Sequence, residues 1–194
     1  GIAARARQMK TKGIDVISLS AGEPDFDTPD FIKSSGISAI QEGKTKYTAT
    51  EGTPDLIEAI RKKFFADNGL SYSAQEIVVS SGAKHAIFNA LLTLVNPGDE
   101  VIIPAPYWVT FPELVKLLGG IPVILLSGAP ENYKISPARL EAAITPRTKA
   151  VILNSPCNPT GVVYSAAELK ALGDVIVKHD LYILSDEIYE KIIY

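Results

Sequence analysis

Four short segments combine residue types that chemistry can use. Ser81-Gly82-Ala83-Lys84 places a glycine and a lysine directly after an apolar run. Trp108, the single tryptophan, follows two prolines in PAPYW. Asn158 precedes a proline in NSPCNPTG. Asp186 and Glu187 follow the apolar run LYILS, with Tyr189 close behind. A charged pair at the end of an apolar strand is costly to place, so something must make a carboxylate useful there.

Each segment offers one group, and each has a plainer alternative. A helix opened by SGAK presents free amide donors and a positive dipole end, which suit a phosphate. The same residues also make an ordinary tight turn from strand to helix. The flat ring of Trp108 can stack on a planar ligand or anchor a core. Asn158 can donate from its side chain to a ligand oxygen, or simply open an Asn-Pro turn. In an apolar surround Asp186 is pushed toward its neutral form unless it faces a fixed positive charge. A protonated pyridine nitrogen is such a charge, and the acid would keep that ring able to accept electrons. The alternatives for Asp186 are a helix cap or a surface carboxylate. Tyr189 can bring its hydroxyl to the same ligand, while Glu187 is expected to point elsewhere. Taken together, a phosphate cradle, a stacking ring, an amide donor and a pyridinium partner describe a site for pyridoxal 5′-phosphate.

The elements that must position these groups follow a rhythm. Asp15–Ser20 reads as a short strand. Pro29 opens a helix that fades near Gly43, and Thr53-Pro54 caps and starts another. From Glu76 onward, short Val/Ile/Leu-rich strands (EIVVS, EVIIP, IPVILLS, KAVILN, LYILS) alternate with helices. That alternation predicts an α/β fold with a mostly parallel sheet covered by helices on both faces. Ligands of such sheets bind beyond the carboxyl ends of the strands. All four chemical segments follow strands, so they are expected on one rim.

The chain of 194 residues is 46% hydrophobic and 21% charged, the profile of a globular protein. A formal net charge of −3 and the lack of a basic stripe argue against nucleic acid as a partner. No apolar run reaches the roughly 20 residues that cross a bilayer. The single Cys157 rules out an internal disulfide and makes a reducing, cytoplasmic setting the expectation.

The sequence resembles the fold-type I pyridoxal phosphate aminotransferases, and most closely their bacterial aspartate aminotransferase subgroup. SLSAGEPDFDTP, KYTATEGTPDLIEAI, SGAKHAIFNALL, PGDEVIIPAPYWVTFPELV, NSPCNPTG and SDEIYE carry the resemblance. It implies that the backbone of Gly22 meets the substrate α-carboxylate. It implies a homodimer in which Tyr47 reaches the cofactor phosphate of the neighbouring subunit. Backbone amides of Gly82, Ala83 and Lys84 would hold the phosphate, and Trp108 would stack on the ring and border the substrate. Asn158 would bond the ring's 3-oxygen, shared with Tyr189, and lie beside the substrate carboxylate. Asp186 would pair with the ring nitrogen. Lys84 would also meet the distal carboxylate of a dicarboxylic substrate. For Gly22, Tyr47 and Lys84 the plainer alternatives are a turn glycine, a packing residue and a solvated lysine.

The resemblance further implies that residues 1–45 are the N-terminal piece of a small domain. Residues 46–194 would then be the first part of the large cofactor domain. It places the Schiff-base lysine and the carboxylate-clamping arginine beyond Tyr194; Lys191 is too near Asp186 and in the wrong motif to substitute. The implied reaction moves an amino group between an amino acid, aspartate first among them, and a 2-oxo acid such as 2-oxoglutarate. The chain alone is expected not to catalyse it. Two alternatives are a non-catalytic aminotransferase-like domain of a transcription regulator, and a pyridoxal phosphate β-lyase or synthase on the same scaffold.

Overall fold

The computed structural model describes residues 1–18 and 22–194. The chain divides into two compact units, Gly1–Thr48 and Ala49–Tyr194. The first holds helices α1 (Ile2–Thr11) and α2 (Asp30–Gln41). Pro29 precedes α2, where its fixed φ suits a helix start. Residues 15–18 form no strand, contrary to the expectation for that segment; the rest of it, Leu19 and Ser20, lies outside the described residues.

The second unit opens on α3 (Pro54–Asn68), which ends at Gly69 in the left-handed conformation. Pro54 starts this helix as expected, but the Thr53 hydroxyl makes no capping bond. Then follow α4 (Ala83–Leu94), β1 (Glu100–Ala105), α5 (Thr110–Leu117), β2 (Ile121–Leu126), α6 (Pro137–Ala142), β3 (Thr148–Asn154), α7 (Ala166–Lys178) and β4 (Tyr182–Asp186). The four strands form one parallel sheet in the order β2-β1-β3-β4. This is the α/β fold the sequence predicts.

Side-chain alternation splits the central strands between two cores. Val101, Ile103, Ala150 and Ile152 point to one face and pack under Ile87 and Leu91 of α4 and Phe111 and Val115 of α5. Ile102, Val151 and Leu153 point to the other and meet Leu140 of α6 and Leu172, Val175 and Ile176 of α7. The β1–β2 crossover therefore runs over one face and the β3–β4 crossover over the opposite face, in opposite directions along the sheet. The loops that leave β1 and β3 diverge, which opens a crevice at their carboxyl ends. Pairing between β1 and β3 spans only Glu100 to Ile102 on the β1 side. Pro104, which has no N–H to donate, sits where this ladder has already parted.

The EIVVS strand is a correction. Glu76 ends a 3₁₀ turn, Ala74–Glu76, and no ladder forms over 77–80. Ile77 is extended and buried, but Val78 is exposed, and the Val79 amide donates to the Glu51 carbonyl at 2.8 Å. Ile77 is extended as the pattern suggests, but a strand also needs a neighbour with which to build a ladder, and periodicity cannot supply one. Among the described residues no helix is long and apolar enough to cross a membrane.

Helix α7 shows how local sequence starts an element. The Ser165 hydroxyl accepts from the Glu168 amide, and the Glu168 carboxylate accepts from the Ser165 amide. Lys134 also donates to that carboxylate at 2.8 Å. Lys134 first, and then the Ser165 donors, pull the Glu168 carboxyl down to about 2 from 4.5. The native state thus favours the ionised form. The stabilisation is complete above pH 4.5 and lost as pH falls toward 2. We expect wild type and Glu168→Gln to differ in urea midpoint at pH 6 and to converge near pH 2; a difference that stays constant across that range would remove Glu168 as its source.

Candidate active site at the carboxyl edge of the sheet

The site is built from the strand ends. In β4, Leu184 packs on the α4–α5 core. Asp186, two residues on, projects from the same face. In β3, Ile152 lies in that core and Asn154 follows it by two. Asn154 and Asp186 are register partners. The polar ends of β3 and β4 therefore emerge side by side on the face that carries α4, α5 and Trp108.

Asp186 is only 9% exposed. Burial raises its carboxyl above the usual range, the Glu187 charge adds to this, and a bond from the Ile188 amide to Oδ1 (3.1 Å) opposes it. Among the described residues Asp186 has no ion-pair partner within reach. Its burial sets aside the surface alternative; the bond from the Ile188 amide, two residues on, is of the kind a cap makes, so Asp186 is a buried acid at a strand end that also ties down the turn after it. Glu187 is exposed and accepts from the Ser185 hydroxyl at 2.7 Å. Asn158 and Tyr189 meet, Nδ2 to hydroxyl at 3.4 Å. Asn158 does open a turn, NPTG, and its side chain is still directed at Tyr189.

Lys84 and Trp108 form the second pair. The Lys84 ammonium lies 5.1 Å from the centroid of the indole ring, which ties the head of α4 to the loop after β1. Trp108 also meets Phe111 edge-on at 5.6 Å and packs on the core, so it is both anchor and rim residue. Gly82 caps α4 with φ +87°, a conformation that a side chain would strain. Its amide turns inward to the Ser80 carbonyl at 2.8 Å. Ala83 and Lys84 occupy the first helical positions, whose amides have no acceptor four residues back. The Ser81 amide donates to Nδ1 of His85 at 3.3 Å.

A buried acid, an amide donor beside a tyrosine, an aromatic ring and an open helix head sit at one edge of one sheet. The class I and II aminotransferase family model matches residues 14–194. The chain belongs to that family. The family as a whole depends on pyridoxal 5′-phosphate, and the donor set here fits it: among the described residues no cation pairs with the acid, and the helix head offers amides to a phosphate.

Individual relatives agree. The aspartate aminotransferase of Geobacillus stearothermophilus is 54% identical over 193 residues, all of this chain and 49% of that relative. The aspartate/prephenate aminotransferase of Cereibacter sphaeroides is 52% identical, over 98% of this chain and 48% of its own. Among solved structures, the Rhizobium meliloti aspartate aminotransferase superposes with a TM-score of 0.95 at 49% identity, over 100% of this chain and 48% of that one. The Thermus thermophilus enzyme, solved with maleate, gives 0.94 at 46%, over 97% and 50%. The aminotransferase chain thus spans about half the length of the curated relatives it matches.

Two of the expected site residues, Gly22 and Tyr47, lie in the first unit, where both are exposed. Lys191 is paired with Asp67 of α3 at 2.9 Å, as a structural lysine. A concavity of about 740 Å³ between residues 49–58 and 74–78 holds none of the expected site residues. The sequence reading passed over Asn154, His85 and Cys157. Cys157 Sγ lies 3.5 Å from the Pro106 carbonyl, across the crevice. Asn154 had a signal: it is a carboxamide closing the apolar strand KAVILN, at the strand end where ligands gather.

Proposed function

We propose that this chain contributes half of an aminotransferase site that uses pyridoxal 5′-phosphate to move an amino group between an amino acid, aspartate first among them, and a 2-oxo acid such as 2-oxoglutarate. The observation that carries the reading is Asp186, a buried carboxyl group with no cation paired to it among the described residues, beside the Asn158–Tyr189 pair. When bound, the cofactor supplies an electron-accepting ring. The chain's own groups do the holding. Asp186 keeps the proton on the ring nitrogen, and Asn158 and Tyr189 bond the ring's 3-oxygen. The amides of Gly82, Ala83 and Lys84 at the head of α4 would hold the phosphate. Trp108 covers the ring, and Lys84 meets a distal carboxylate.

Dicarboxylic specificity is supported by the names of the relatives and by the maleate in the Thermus thermophilus structure, a dicarboxylate. In this reading residues 1–45 belong to a small domain and 46–194 to the large cofactor domain. The backbone of Gly22 meets the substrate α-carboxylate, and Tyr47 serves the phosphate of a second subunit in a homodimer. Trp108 is the only tryptophan and reports the site directly. Titrating the chain with pyridoxamine 5′-phosphate, which needs no covalent anchor, is expected to quench its fluorescence saturably. A titration with neither quenching nor calorimetric heat would overturn the reading.

A further inference from the structure

We propose that Asn154 is a positioning residue that sets Asn158 and Asp186 against each other, so that the amide donor and the acid grip one ligand at a fixed spacing. This rests on the cofactor reading above and adds a residue to it. The Asn154 side chain uses both ends of its carboxamide. Oδ1 accepts from the Asn158 backbone amide at 2.8 Å. Nδ2 donates to the Asp186 carbonyl at 3.0 Å. The Ser155 amide donates to the same carbonyl at 3.1 Å, so the backbone of Asp186 is held twice from β3.

Two loops that leave different strands are thereby locked to one side chain. From Asn158 the network continues to the Tyr189 hydroxyl, and the Asp186 carboxylate is aimed by the Ile188 amide. Few side chains can do this. The group must donate and accept at once, and it must reach four residues forward and across the ladder. Aspartate keeps the acceptor and loses the donor. Leucine keeps the shape and loses both. Serine is too short, and glutamine is longer by one methylene. A small displacement of a ligand-holding group is costly, on the order of a hundredfold for about 1 Å in a reacting geometry.

The test uses the 194-residue chain. Amide hydrogen exchange at Asn158, followed by NMR, is compared in wild type, Asn154→Leu and Asn154→Asp. Affinity for pyridoxamine 5′-phosphate is read from Trp108 fluorescence in the same proteins and in Asn158→Ala. We expect Asn154→Leu to lose protection at Asn158 and to bind about 10- to 100-fold more weakly. Asn154→Asp recovers the protection, because it retains the acceptor. In the Asn158→Ala background, Asn154→Leu costs clearly less than in wild type, since the Asn158 side chain it positions is gone and only its hold on the Asp186 backbone remains to be lost. Equal losses in both backgrounds, or unchanged protection in Asn154→Leu, would overturn the proposal. If Asn154→Leu fails to fold, Asn154→Asp decides: loss of Asn158 protection there counts against positioning. If wild type does not bind pyridoxamine 5′-phosphate, the cofactor reading fails and the exchange data alone judge whether Asn154 holds Asn158.

Discussion

Asp186→Asn is expected to weaken binding of pyridoxamine 5′-phosphate by about 30- to 3,000-fold and, at the same time, to stabilise the unliganded chain at neutral pH. The first figure is the roughly 2–5 kcal/mol lost when one member of a buried charge pair is removed, converted at about 1.4 kcal/mol per tenfold. The second effect follows from burial. The folded chain holds the Asp186 proton more tightly than the unfolded chain does, because water is excluded from the carboxylate. Ionising it therefore works against folding. As pH rises through the unfolded value of 3.8 and on through the raised folded value, stability falls, and it stays lower above both. Asparagine has no such term and can still accept from the Ile188 amide through Oδ1. Its urea midpoint should exceed that of wild type at pH 7, and the advantage should vanish below about pH 3.8. Both parts must hold together. A variant that loses affinity and stability alike would mean a damaged fold, and one that binds normally would mean that the acid does not face a cation.

Phe111→Ala is expected to cost about 3–5 kcal/mol, a large part of the roughly 5–15 kcal/mol that holds a domain together. Phe111 is 1% exposed at the centre of the α4–α5 core. Its ring also stands edge-on to Trp108. Alanine leaves a cavity that the flanking strands cannot close, since Ile103 and Ile152 are pinned in the sheet. Phe111→Leu separates the two roles. It refills most of the volume, so the fold should survive with a loss of about 1.5 kcal/mol or less, but the indole loses its edge contact. Trp108 emission should shift in Phe111→Leu, with most of the stability kept. Val177→Ala, at an 80% exposed position, is the control and should move the urea midpoint little. Equal losses for Phe111→Ala and Val177→Ala would remove Phe111 from the core.

Much of this architecture is present in the amino-acid pattern. EVIIP, IPVILLS, KAVILN and LYILS each become a strand of one parallel sheet. In β1 and β3 the continuous apolar character is what burial by helices on both faces requires, whereas the outer strands leave Leu126, Tyr182 and Ile183 exposed. Because parallel strands carry their loops on the same edge, the sequence alone also puts PAPYW, NSPCNPTG and SDEIY on one rim; SGAK follows a segment that forms no strand, and it is the Lys84–Trp108 contact that brings the head of α4 there. Residue type further selects which groups matter. A lone tryptophan, an Asn-Pro turn and an acid after apolar residues are informative because each is out of keeping with its neighbours.

Other features lay beyond the pattern. EIVVS has the same composition as the strands and forms no ladder, because a strand is a relation between two segments. The choice of Asp186 over Glu187 as the buried acid, by contrast, is legible: Asp186 follows Leu184 by two onto the core face, and Glu187 does not. The inward turn of the Gly82 amide depends on a positive φ that a glycine permits but does not dictate. Asn154 is the clearest case. Its value lies in a carbonyl 32 residues away in sequence, brought opposite by the β3–β4 register. The local sequence sets which side chains are available and on which rim they emerge. Only the tertiary structure decides which meet, because hydrogen bonds act over about 3 Å and that proximity is created by strands pairing across the fold.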